Sequence, residues 1–588
     1  ENAWICTEAI ALLAALAGLF HDFGKAGYLF QYNLCHASVR RYQPFRHEWL
    51  SVRLFQAFVG EQHDSEWLAL LHHPDRIDEE AILARLKKDR VKPALDPNDH
   101  TAPASPFRGM TPLAQTVCWL LLSHHRLPHY PGRNPPDMAE SAAWLEQQLD
   151  ASWNALNHLA GWTEADFDSV WTFPHGLPWR SAAWGNKAHQ LAKRALNSGA
   201  LADFARLDEA FVPHLARLAL MLADHHYSSQ QTSAHWQDEH YPVWANTDRA
   251  TGRLKQQLDE HCVGVAHHAL LLARVLPGIR RQLPAIARHK GFRERAADAH
   301  FQWQNKAWEC CAGLREQAQQ QGFFGINLAS TGCGKTFANA RIMYALANEQ
   351  QGCRFTVALG LRTLTLQTGQ ALRERLHLQP DDLAVMIGSS AARELYEQQH
   401  PEPDDNSLSA QALFGEHQYV HYDGAPDNSP LQHWLQKDPK LKQLINAPVL
   451  VATIDHLMPA TEGTRGGKQL APMLRLLTSD LVLDEPDDFD LADEYALCRL
   501  VNWAGMLGSK VVLSSATLPP SLVQALYIAY GKGRKAYQHA IGQPQDMAVC
   551  CAWFDEDKVK PGCFGDYEKF LEAHQDFIAA RVARLRNK

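Results

Sequence analysis

The chain holds twelve cysteines and not one C-x-x-C pair among them. Its two doublets, Cys310-Cys311 and Cys550-Cys551, suit neither a zinc framework nor a disulfide scaffold, which points to a reducing cytosol. Long hydrophobic runs are missing too. The longest, Ala9 to Phe20, falls short of the roughly 18 residues that a membrane span needs, so a buried helix is expected there. No secretory signal is visible, and the chain opens on Glu1 rather than Met, which suggests a natural start further upstream. Positive charge is not in excess either, since the formal net charge is −8. Attraction of nucleic acid to the whole surface is thereby excluded, and any such contact must use local basic patches.

What is present is ordinary for a globular chain: 46% hydrophobic and 21% charged residues, unlike disorder. A length of 588 residues allows about three or four domain-sized units. The 31 histidines are a marked surplus and invite a search for metal ligands.

The plainest motif is Ala329-Ser330-Thr331-Gly332-Cys333-Gly334-Lys335-Thr336. An apolar run ending at Leu328 reads as a strand before it, and Phe337 to Ala347 has helical composition after it. Strand, small-residue loop and helix make a phosphate cradle, in which backbone N–H groups and the helix dipole meet the anion. Lys335 would reach the β- and γ-phosphates and Thr336 would hold Mg²⁺. Ala329 stands where the usual pattern has Gly. The plainer reading, a chance Gly-Lys-Thr in a surface turn, does not account for the flanking strand and helix.

Residues 1–250 are rich in Leu, Ala, Trp and His, with helical periodicity and no strand alternation, so an all-helical domain is expected. His21-Asp22-Phe23-Gly24-Lys25 follows the first apolar helix. Imidazole beside carboxylate suits metal bridging, Gly24 permits a tight turn, and Lys25 sits where it would meet a phosphate oxygen. His47 opens a helical stretch, His124-His125 closes the apolar helix over Thr116–Ser123, and Asp224 lies late in another. Separate helix caps and core histidines are the plainer alternative. The pairs His72-His73, His225-His226 and His267-His268 fit no place in the pattern. Residues 251–300 read as a helical connector whose Arg and Lys clusters are a solvated face or a nucleic-acid contact.

From Phe301 the pattern is α/β. Gln304 stands at the distance before the phosphate loop expected of an adenine-reading glutamine. Further strands end at Arg362 and Thr363, at Thr453 and Asp455, at Asp484-Glu485-Pro486-Asp487, and at Ser515-Ala516-Thr517. Asp484 would hold Mg²⁺ through water and Glu485 would polarise the attacking water. Arg362, Thr363, Thr453 and Asp455 are placed to hold a single nucleic-acid strand. Asp487, Ser515 and Thr517 would couple the two sites. Asp546–Asp555 reads as a strand and Phe570–Leu585 as a helix.

The order His-Asp, His, His-His, Asp resembles the HD phosphohydrolase superfamily. That resemblance implies His21, Asp22, His47, His124, His125 and Asp224 as metal ligands, Asp22 and Lys25 at the reacting phosphate, and an extra ligand His absent from residues 1–20. The motifs from Gln304 to Thr517, with their Asp-Glu-x-Asp, resemble the first RecA-like lobe of superfamily 2 helicases. Ser330 to Thr336, with Gln304, Asp484 and Glu485, would then form the ATP site. Together the two parts resemble the CRISPR-associated helicase-nuclease family of type I systems, in its I-F branch.

The resemblance implies a multidomain fold: an all-α HD-type nuclease domain at 1–250, the connector at 251–300, a RecA-like P-loop lobe at 301–540, and the start of a truncated second lobe at 541–588. It implies a metal-dependent single-stranded DNA nuclease coupled to a 3′–5′ ATP-dependent helicase, using Mn, Ni, Co or Fe in the HD site and ATP with Mg in the lobe. It also implies recruitment by a guide-RNA surveillance complex, an adaptation domain ahead of Glu1, and an adaptation integrase and phage anti-CRISPR inhibitors as further partners. Two other readings stand beside it: an HD nucleotide phosphohydrolase with a regulatory P-loop lobe, and a non-catalytic adaptor.

Overall fold

The computed structural model describes residues 4–36, 43–90, 104–128, 140–153, 163–248, 251–360, 362–387, 444–462, 466–489 and 491–587. The N-terminal half is helical. Its centre is α1 (Thr7–Phe20), whose residues from Ala9 to Phe20 are all buried. A helix that is apolar all round belongs in a core, and α1 is one. Around it stand α2 (His47–Val59), α3 (Pro112–Ser123), α4 (Phe211–Ser229) and α5 (Leu258–Val275). Because α5 packs along α1 and α4, residues 251–300 are not the simple connector expected. Within them, Arg280 pairs with the buried carboxylate of Asp480 at 2.8 Å rather than serving only as a solvated face.

Two helical stretches, Thr7–Ala26 and Leu258–Gln282, are long and apolar enough to match a membrane span by length and composition alone. The uninterrupted apolar run Ala9–Phe20 lies within the first and is a buried helix, as expected. The window in the first is 100% buried within the protein, so core packing accounts for its hydropathy.

After α6 (Trp303–Gly313) the described residues build an eight-stranded sheet in the order β3-β4-β2-β5-β6-β1-β7-β8. The strands are β1 (Phe323–Asn327), β2 (Phe355–Leu359), β3 (Leu383–Met386), β4 (Val449–Thr453), β5 (Asp480–Asp484), β6 (Val511–Ser514), β7 (Val549–Phe554) and β8 (Val559–Phe564). All neighbours are parallel except β8, which runs antiparallel to β7. Every residue of β1, β2 and β4 to β7 is buried, as near-continuous apolar runs in a covered parallel sheet should be. Helices α7 (Lys335–Leu346), α8 (Gly466–Thr478), α9 (Leu491–Met506), α10 (Pro520–Ala540) and α11 (Tyr567–Arg586) follow in chain order.

The strand expected over Asp546–Asp555 pairs with β1, in register Phe323 with Cys550. Residues 541–588 therefore extend the same sheet instead of opening a second lobe.

The two halves share one core. The Ile5 N–H donates to the Ala540 carbonyl at 2.9 Å. The His214 ring of α4 lies 3.8 Å from Trp503 of α9, centroid to centroid, and Trp4 meets Phe211 edge-on at 5.1 Å.

Candidate metal centre and phosphate-binding loop

α1 ends where its last turn delivers His21 and Asp22 into the interior, both at 0% exposure. The expected turn at Gly24 is instead one turn of 3-10 helix over Phe23–Ala26. Glycine is needed there for a different reason: a Cβ would lie 2.1 Å from the His47 carbonyl oxygen. The Gly24 N–H also donates to Ser51 Oγ at 2.9 Å, so the segment is pressed directly onto the first turn of α2.

All six expected ligands converge. His47 Nε2 lies 3.2 Å from Asp22 Oδ1, His124 Nε2 lies 3.9 Å from the same oxygen, and His21 Nε2 lies 3.9 Å from Asp224 Oδ1. His125 Nδ1 is 3.7 Å from Asp224 Oδ2. A seventh residue joins them that the sequence pattern did not single out. His261 of α5 places Nε2 at 3.2 Å from both Asp22 Oδ2 and Asp224 Oδ1. It follows Asp259-Glu260 in sequence, and the packing of α5 against α1 brings it in. Lys25 Nζ stands 2.8 Å from Asp22 Oδ2.

The tautomers follow from the hydrogen bonds. Carbonyl oxygens only accept, so Nδ1 of His21 donates to Gly18 and Nδ1 of His124 donates to Leu121, both at 2.8 Å. His261 Nδ1 lies 3.1 Å from Gln256 Oε1. Each ring thus turns Nε2 toward the carboxylates, and Nε2 of His21, His124 and His261 is buried with no hydrogen bond of its own. Burial, then the charge of His21, pushes His124 down to about 3. His124 is neutral, and its lone pair faces a carboxylate.

Burial opposes charge on Asp22, but His21 and Lys25 outweigh it and hold that carboxyl well below the usual range. Burial likewise disfavours a charged His261, yet Asp22 and Asp224 raise it, drawing positive charge to this spot. Lone pairs and carboxylate oxygens converging in the interior fit a divalent cation, and they form three overlapping groups, in each of which the ligand atoms lie within 4.8 Å of one another: Asp22 with His47, His124 and His125; His21 with His124 and Asp224; and His21 with Asp22 and His261. Arg217 of α4 donates Nε to the Ser123 carbonyl at 2.8 Å, fixing the end of α3 that carries His124 and His125.

The second site lies at the C-terminal ends of β1, β5 and β6, where parallel sheets place their ligands. Gly334 takes a left-handed φ of 77° as α7 begins, and a Cβ there would meet Gln304 Nε2 at 2.6 Å. Gln304 itself is buried and turns its amide onto the loop, 3.4 Å from the Cys333 carbonyl and 3.3 Å from that of Gly334. Lys335 Nζ pairs with Glu485 Oε1 at 3.0 Å. Glu485 has a left-handed φ of 52°, and its N–H donates to the Ser514 carbonyl at 2.7 Å. Burial, with Glu485 adding and Lys335 opposing, pushes Asp484 up to about 6. Asp484 Oδ1 is buried without a hydrogen bond, a fit for a cation.

Thr517 Oγ1 donates to Asp487 and lies 3.3 Å from Ser515 Oγ, so the three residues expected to couple the sites do touch. Ser330, Thr331, Gly332, Cys333 and Thr336 form the loop and the start of α7 as expected. Thr453 is 2% exposed at the end of β4, whereas Asp455 is exposed. Arg362 and Thr363 open the helix Arg362–Leu376, but their side chains lie outside the described residues.

A buried His/Asp centre on helices, joined through one core to a phosphate loop on a parallel sheet, defines a protein with a candidate metal site and a candidate nucleotide site. Two curated relatives then name what the chain resembles. It is 55% identical, over 100% of its length, to a "CRISPR-associated nuclease/helicase Cas3 subtype I-F/YPEST" from Pectobacterium atrosepticum, and 49% identical over its whole length to the protein of the same description from Pseudomonas aeruginosa. The resemblance read from the motifs is shown by these relatives, including the I-F subtype. The chain spans about half of each, 54% of their length. No family model matches. Among solved structures, T. fusca Cas3 with ATP aligns with 90% of this chain and 50% of its own (16% identity, TM-score 0.37). A "CRISPR RNA-guided surveillance complex, pre-nicking" aligns with 90% and 47% (15% identity, TM-score 0.29).

Proposed function

We propose that this chain carries the nuclease and the first motor lobe of a CRISPR interference effector. It would cut single-stranded DNA at a transition-metal centre of the HD type and bind ATP with Mg²⁺ on a RecA-like lobe. In this reading the HD domain covers residues 1 to about 280, α5 included, and the lobe covers the remainder of the chain. The observation that carries it is the convergence of His21, Asp22, His47, His124, His125, Asp224 and His261, spread over more than two hundred residues, into one cluster of overlapping ligand groups. The descriptions of the two relatives support both activities. Recruitment by a guide-RNA surveillance complex in the cytoplasm, feeding of DNA by 3′–5′ translocation, and contact with an adaptation integrase or phage inhibitors belong to the same reading.

When bound, Mn, Ni, Co or Fe would supply Lewis acidity and an ionised water at neutral pH. The chain's own residues do the rest. Asp22 and Asp224 would fix the charge of the centre, and the Nδ1–H bonds of His21, His124 and His261 would hold their rings on axis. Lys25, held at Asp22, would meet the scissile phosphate oxygen. On the sheet, Lys335 would exchange Glu485 for the nucleotide phosphates, which frees Glu485 to orient water.

The test is metal-supplemented cleavage of circular single-stranded DNA, with bound metal measured by mass spectrometry. Asp22→Ala should abolish both cleavage and retained metal. His261→Ala should lower metal affinity by about ten- to a hundredfold. Cleavage by Asp22→Ala at the parent rate would refute the assignment.

A further inference from the structure

The phosphate loop has a second ionic neighbour, on the side away from the acidic pair. Lys335 faces Glu485 at the β5 side of β1, whereas Ser330 faces the β7 side, where the turn between β7 and β8 stands. The Ser330 N–H donates to Glu556 Oε2 at 3.2 Å, and Ser330 Oγ donates to Glu556 Oε1 at 2.8 Å. Glu556 is in turn gripped by Arg581 of α11, with Nη1 at 2.7 Å from Oε2, while Arg581 Nη2 donates back to Ser330 Oγ at 3.1 Å. The Arg581 and Glu556 side chains are only 9% and 11% exposed, so solvent screens this three-way contact little.

The turn that presents Glu556 is itself prebuilt. Asp555, fully buried, accepts from the Asp557 and Lys558 N–H groups at 2.8 and 2.6 Å and pairs with Arg584, also of α11. Burial works against a charged Glu556, but Arg581 prevails and brings it down to about 2.

We propose that Glu556, held by Arg581, is a positioning residue for the nucleotide-binding loop, and that α11 thereby governs how well the loop takes a nucleoside triphosphate. Because Glu556 flanks the loop from the side opposite Asp484 and Glu485, its carboxylate buttresses the first turn without competing for the phosphates. Within the loop the Cys333 N–H donates to the Ser330 carbonyl at 3.1 Å, and Glu556 takes up the N–H and hydroxyl of the same Ser330.

The proposal rests on the nucleotide-binding reading, and its test separates the two. ATP·Mg²⁺ binding to the chain is measured by calorimetry, and thermal unfolding is followed on the same samples. Glu556→Ala should weaken binding roughly tenfold, the loss expected for a charge-assisted hydrogen bond. Glu556→Gln keeps an oxygen that accepts from Ser330 and should bind within about threefold of the parent. Arg581→Met should resemble Glu556→Ala. Lys335→Ala is the control: if it binds ATP as the parent does, the nucleotide reading itself fails. If Lys335→Ala loses binding and Glu556→Ala does not, only the positioning role is overturned. It is also overturned if Glu556→Gln loses as much as Glu556→Ala in step with a fallen melting temperature, which is the mark of a merely structural contact.

Discussion

At the scale of single residues, charge in the interior is tolerated only where something answers it. The buried Asp484 carboxylate is one exception, because burial outweighs Lys335 and pushes it up to about 6, from an ordinary 3.8. A carboxyl whose folded pKa is raised contributes stability that is fully present below its unfolded pKa and lost as pH rises through the folded one. The chain should therefore lose on the order of 2–3 kcal/mol from this group between about pH 4 and pH 7. Asp484→Asn, which never ionises, should be more stable than the parent at about pH 7.5 and nearly equal to it at about pH 4. Denaturant unfolding without nucleotide at both pH values checks this, and an equal difference at the two would contradict it. Mg²⁺ bound at this carboxylate would erase the penalty, so ATP-Mg²⁺ should stabilise the parent more than the variant.

Between elements, the decisive contacts are close approaches. Gly24 lets the 3-10 turn after α1 lie on the His47 carbonyl of α2, and a Cβ at 2.1 Å from that oxygen cannot be accommodated by a side-chain shift. Gly24→Ala should push α1 and α2 apart at the ligand end. The expected cost is roughly 1–3 kcal/mol or more in unfolding free energy, together with loss of metal binding, read by calorimetric titration with Mn²⁺.

This contact also shows how far the sequence could be read. The motif order announced His21, Asp22, His47, His124, His125 and Asp224 as one set, and all six meet. Gly24 was visible as a special position, but the tight turn expected there is helical, and its real reason is a neighbour far along the chain. His261 follows Asp259-Glu260 but stands outside the His-Asp order of the motif, and its role depends on α5 crossing α1. On the sheet, the buried strands were legible as apolar runs. Leu383–Met386 is short, and Val559–Phe564 carries Lys560, Pro561 and Gly562, so neither stood out. In the sequence the cluster holding Arg280 fits a solvated face or a nucleic-acid contact equally, and only the fold sets Asp480 opposite Arg280.

For the molecule as a whole, the domain limits suggested by composition do not coincide with the packing. A piece ending at residue 250 would lack α5 and with it His261, and would expose the faces of α1 and α4 that α5 covers. Expressed alone, residues 1–250 should be poorly soluble and bind 1-anilinonaphthalene-8-sulfonate, the sign of uncovered apolar surface. A soluble, cooperatively unfolding 1–250 would show that α5 is dispensable.

The stitch between Ile5 and Ala540 carries a cost in time. Those residues leave the ribosome more than five hundred positions apart, on the order of a minute at about 5–20 residues per second. During that interval the segment ahead of α1 waits for the acceptor that anchors it, while α1, oily on every side, is already outside the exit tunnel. Newly made chains would thus pass through a long window of vulnerability to self-association, and slowing translation downstream of α5 should lengthen it.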